Sequence, residues 1–122
     1  MEAESIKRNF QIGVHHVLLM VLVAGMLGVG MMKCVGSPDV IESFQRWGLP
    51  DWSRYVIGLV ELVIGVCLVI PVTRKYALLS LLLLMLGATG VHIIHAEYLD
   101  LIGPGFILCA VMALLWLRDR IR

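Results

Sequence analysis

The chain has 122 residues, of which 60% are apolar and 16% charged, against roughly 45–50% apolar and about 25% charged in soluble domains. With a mean hydropathy of +0.93, this composition excludes a disordered segment, a disulfide-stapled secreted module and an ordinary soluble enzyme, and predicts a small integral membrane protein. Ten Lys and Arg against nine Asp and Glu leave a net charge of +1, which offers no basic field to nucleic acid.

Apolar stretches at about 12–32, 52–72, 76–95 and 99–117 each approach the ~20 residues that cross ~30 Å of hydrocarbon as a helix. They predict an all-α integral membrane four-helix bundle that occupies 1–122 as a single membrane domain, with the lipid bilayer as its surroundings. The first run is too long for the apolar core of a signal peptide and lacks a small-residue cleavage site, so this helix is expected to remain. Lys7, Arg8, Arg74, Lys75, Arg118, Arg120 and Arg122 fall on one side of the spans, and Lys33, Arg46 and Arg54 on the other. That asymmetry places both termini in the cytoplasm.

The first outward loop carries its own pattern. Ser37 and Pro38 form a helix start, Val40, Ile41, Phe44 and Trp47 recur at helical spacing, and Gly48 offers a stop. A short amphipathic interfacial helix is predicted, with Trp47 and Trp52 as interfacial anchors before Leu49 and Pro50 turn the chain into the second span. A tight turn at Ala96, Glu97 and Tyr98 makes the third and fourth spans antiparallel neighbours.

Glu61 is the costliest residue, because a carboxyl group about two turns inside a span must be neutral, hydrogen-bonded or paired. Asp51, Arg54, Gly58, Glu61 and Gly65 share one helical stripe, which is expected to face the bundle interior. Gly58 and Gly65, with Gly87 on the third span, are candidate positions of close approach. Partners at similar depth are His92 and His95, at the outer end of the third span, and Lys33, at the outer end of the first. A Glu61–His92 hydrogen bond is one possible pairing. Pro104 lacks an N–H, so the Asp100 carbonyl is expected to lose its helical partner and to face a cavity. Ligand-binding or proton-coupling candidates are therefore Glu61, His92, His95, Lys33 and Arg54. A metal site built on His92, His95 and one carboxylate is the weaker idea, and no metal is assigned.

Cys34, Cys67 and Cys109 show no CxxC spacing and read as small hydrophobes rather than a catalytic dithiol. His15 and His16, about 100° apart around their helix, read as interface histidines.

The run Gly30-Met31-Met32-Lys33, Phe44, Gly48-Leu49-Pro50, Trp52, Gly58-Leu59-Val60-Glu61, Gly65, Gly87-Ala88 and His92 resembles the DoxX family. The resemblance covers about Gly30 to His92, while the fourth span agrees by hydropathy. It implies a four-helix protein of the bacterial cytoplasmic (inner) membrane, in a family that includes the membrane part of a thiosulfate:quinone oxidoreductase, with Lys33, Glu61 and His92 as the polar members of the pattern. No flavin, haem or iron–sulfur motif is visible, so electron transfer would need a cofactor or a redox partner chain. Two readings follow. In one, the outer half binds a quinone-like redox or small hydrophobic molecule. In the other, the protein is a non-enzymatic accessory or assembly subunit, with a structural polar stripe and small faces such as Gly25 and Gly28 available for homo-oligomer or partner contact.

Overall fold

The computed structural model describes residues 1–121; Arg122, one of the seven cations counted on the cytoplasmic side, lies outside the described residues. The elements are α1 (Glu2–Val35), α2 (Pro38–Arg46), α3 (Asp51–Val69), α4 (Arg74–Ile94), a 3₁₀ turn (Tyr98–Leu101) and α5 (Ile102–Ile121), with no strand among the described residues. Four helices, α1, α3, α4 and the 3₁₀ turn with α5, are long and apolar enough to cross a membrane. The end carrying α2 and the α4–α5 turn is called outer below, following the charge asymmetry.

α1 runs 34 residues, about 51 Å at 1.5 Å per residue, which exceeds the ~30 Å of hydrocarbon. Its first turns extend the expected span toward the N-terminus, where Glu2 and Glu4 complement the helix dipole. It ends on Gly36, whose left-handed φ of 83° suits a residue without Cβ. α3 stops at Val69, short of the expected 72, because Pro71 cannot donate to the helix. Thr73 Oγ1 donates to the Cys67 carbonyl at 2.8 Å and Arg74 Nε to the Leu68 carbonyl at 2.8 Å, so the freed carbonyls are satisfied.

α1 packs on α3 and α5, and α4 packs on the same two, while the diagonal pairs do not meet among the described residues. Every neighbour is antiparallel, so the spans form an up-down-up-down ring. The fully enclosed side chains Leu22, Met26, Leu68, Leu78, Leu81, Val111 and Leu114 lie in the middle and in the half away from α2. The tightest crossing is between α1 and α3: a Cβ on Gly30 would lie 2.9 Å from the Gly58 carbonyl oxygen, and one on Gly58 equally close to that of Gly30. Gly65 meets Leu27 in the same way, at 2.9 Å. Gly25 and Gly28 have nothing within 4 Å of such an atom.

At the outer end, Ser37 precedes Pro38 as N-cap in extended conformation, without a side-chain capping bond, and Gly48 takes a φ of 74° just beyond α2. Phe44 is 3% exposed. Trp52 is exposed, as an interfacial residue should be, whereas Trp47 turns inward, which corrects its reading as an anchor. Pro104 falls in the first turn of α5, which follows the 3₁₀ turn Tyr98–Leu101 without a break.

Candidate functional site

The α3 stripe faces inward through Arg54, Gly58, Glu61 and Gly65, all buried, while Asp51 stays exposed. Glu61 meets Lys33, not His92: the ammonium lies 2.7 Å from Oε1, with side-chain exposures of 21% for Lys33 and 3% for Glu61. Gly58 makes this possible, since a Cβ there would come within 3.0 Å of Lys33 Cβ. Oε1 is buried, and the Lys33 ammonium is its partner at 2.7 Å.

His92 has a different carboxylate. Its Nδ1 lies 3.1 Å from Glu97 Oε1, the Trp47 indole N–H donates to the same oxygen at 2.9 Å, and Arg46 Nε donates to Oε2 at 2.6 Å. The Trp47 ring stands edge-on to His92 at 5.5 Å and tilts against Phe44 at 5.4 Å. Ala96, at φ 55°, turns the chain so that Glu97 folds back over the end of α4. The Trp47 hydrogen bond foremost, with those of His92 and Arg46, holds the Glu97 carboxyl down to about 2 against the opposing pull of desolvation. The sequence reading did not select Glu97 or Trp47. The available signals were the placement of Trp47 three residues after Phe44, on one face of α2, and Arg46 facing an acidic turn across the outer surface.

Between these two clusters lies a cavity of about 500 Å³ in the outer half of the bundle. Lys33 and Val29 of α1, Ile57 and Glu61 of α3, Ala88 and His92 of α4, and Pro104 and Ile107 of α5 contribute to its wall, and Phe44 and Trp47 roof it. Gly87 also lines it and has open space where a Cβ would stand, so it widens the cavity instead of bringing two helices together. This corrects its reading as a close-approach glycine.

Arg54 and His95 lie outside the cavity lining. Arg54 donates to the Lys33 carbonyl at 2.5 Å, contacts Asp51 at 3.4 Å and stacks on Tyr55, which clamps the end of α1 to the start of α3. His95 is exposed and turned onto the Val91 carbonyl at 2.9 Å, so His92 and His95 do not converge on one point. His92, Glu97 and Asp100 do bring one ligand atom each within 4.8 Å of one another, but both oxygens of Glu97 are already engaged by Arg46, Trp47 and His92. An ion pair, together with an imidazole, in a mostly apolar cavity can hydrogen-bond a small molecule and exchange protons with it.

The chain belongs to the DoxX-like family: the family profile matches residues 17–115, which include all four spans in whole or large part. Neither a curated protein nor a solved structure matches it.

Proposed function

We propose that this DoxX-like integral membrane protein is a redox-associated subunit that binds a small hydrophobic, quinone-like molecule in its outer cavity. Lys33 and Glu61 serve there as one hydrogen-bonding and proton-coupling group, and His92 as the other. The observation that carries the reading is the cavity of about 500 Å³, within the size range of small-molecule sites, with apolar walls and a few convergent polar groups. Quinone reduction takes up two protons per molecule, which a carboxyl group and an imidazole are suited to supply. The electrons come from a redox partner or cofactor, and the bacterial cytoplasmic membrane is the setting we propose.

A second reading is favoured by the burial of the Lys33–Glu61 pair at the α1–α3 crossing, which suits an accessory or assembly subunit whose polar stripe fixes helix register. Native mass spectrometry of the wild type and Glu61→Gln, extracted in mild detergent, separates the two. A quinone-sized adduct on the wild type that is lost from the variant supports the binding reading. Bare polypeptide in both, or a protein partner retained by both, supports the accessory reading instead.

A further inference from the structure

The outer cavity has a roof and an open flank, and the two differ in chemistry. The roof is α2: Phe44 is 3% exposed, and Trp47 closes over His92 with its indole tied to Glu97. Arg46, the next residue back, grips the other oxygen of Glu97 at 2.6 Å. A single carboxylate on the α4–α5 turn thus fastens α2 across the top of the bundle through two charge-assisted bonds.

The flank lies on α4. Leu83 and Gly87 line the cavity although both are exposed, Leu83 at 71%. Being four residues apart, they lie on one face of the helix. They sit nine and thirteen residues beyond Arg74, the first residue of α4, or roughly 14 and 20 Å up the helix axis. That depth falls within ~30 Å of hydrocarbon, so the exposed edge faces acyl chains rather than water. Val29 of α1, also a lining residue, is 36% exposed at comparable height.

Charge completes the argument. Lys33 is paired with Glu61 and Arg46 with Glu97, so the cavity and its roof present balanced charges and favour no charged ligand.

We infer that the cavity admits a neutral, membrane-dissolved molecule sideways from the hydrocarbon, along the Leu83–Gly87 edge, while the Glu97 latch keeps the α2 roof shut to water. This rests on the reading of the cavity as a ligand site, but it concerns the route, which is measurable without knowing the ligand.

The experiment is carbene footprinting in lipid nanodiscs, with insertion sites read by peptide mass spectrometry. Adamantyl diazirine serves as the neutral, bilayer-dissolved probe and a carboxylate-bearing diazirine as the aqueous one. The neutral probe is expected to add to Ala88 and His92 as well as to Leu83. The aqueous probe is expected to mark Asp39 and Glu42 on the exposed face of α2 and to spare Ala88 and His92. Glu97→Ala and, as an independent unlatching variant, Arg46→Ala are expected to raise aqueous labelling of His92 several-fold. Aqueous labelling of His92 in the wild type, or neutral labelling confined to Leu83, overturns the lateral route; unlatching variants without effect overturn the latch. A chain that labels as expected yet carries no quinone keeps this inference and loses the quinone reading.

Discussion

Lys33 and Glu61 illustrate how little a buried pair can be treated as two equal halves. Glu61 is fixed about three turns inside α3 and only 3% exposed, whereas Lys33 stands near the outer end of α1 at 21%. Removing the acid leaves a lysine that can turn its ammonium toward the headgroups; removing the lysine strands a carboxylate in the interior. Lys33→Met is therefore expected to cost about 3 kcal/mol and Glu61→Gln clearly less, with the double variant recovering much of the loss, as read by thermal unfolding in detergent. Glu97 makes a pH prediction of opposite character. Its carboxyl, normally titrating near 4.5, is held down to about 2. The stabilisation it provides is thus complete above the ordinary carboxylate range and lost as pH falls toward about 2. The groups facing it are Arg46, His92 and the exposed Asp100. In a chain with Trp52→Phe and Trp116→Phe, emission from Trp47 is expected to hold steady from neutral pH to about 4.5 and to shift to the red as pH falls below that toward about 2.

At the scale of elements, two glycines with the same sequence appearance have opposite roles. Gly58 lies against the Gly30 backbone and Lys33, with contacts of 2.9–3.0 Å to any added Cβ, while Gly87 has nothing within 4 Å. Gly58→Ala is expected to push α1 off α3 at a cost of about 1–3 kcal/mol, and Gly87→Ala to change stability by less than about 0.5 kcal/mol; the difference in melting temperature of the two variants checks this. The inward stripe of α3 was legible in the sequence, because hydrocarbon forbids Arg54 and Glu61 from pointing outward and the helical repeat then places Gly58 and Gly65 beside them. The α2 helix was legible for similar reasons, through Pro38 and Gly48. The partner of Glu61 was not. Whether Lys33 or His92 reaches it depends on helix rotation and on the left-handed turn at Ala96, which hands His92 to Glu97 instead. Nor could hydropathy place the start of α5 at Ile102, after a 3₁₀ turn.

Across the whole molecule, the bundle is divided by depth. The middle and the half away from α2 are filled by Leu, Met and Val side chains with 2% exposure or less. The outer half holds the cavity, walled partly by Gly87, Gly103 and Ala88 and closed by α2. A solid half gives a small bundle its stability, and the hollow half is where a ligand can sit without disturbing that packing. The most direct measurement is to titrate a short-tailed benzoquinone into the chain whose sole tryptophan is Trp47, with and without Glu61→Gln, because Trp47 lines the cavity and reports contact by quenching. Saturable quenching that weakens about tenfold or more in Glu61→Gln, as expected when a bond to a charged group is lost, is the predicted result. Quenching that rises linearly with quinone concentration, equally in both chains, would show partition into detergent alone and contradict a binding site at Glu61.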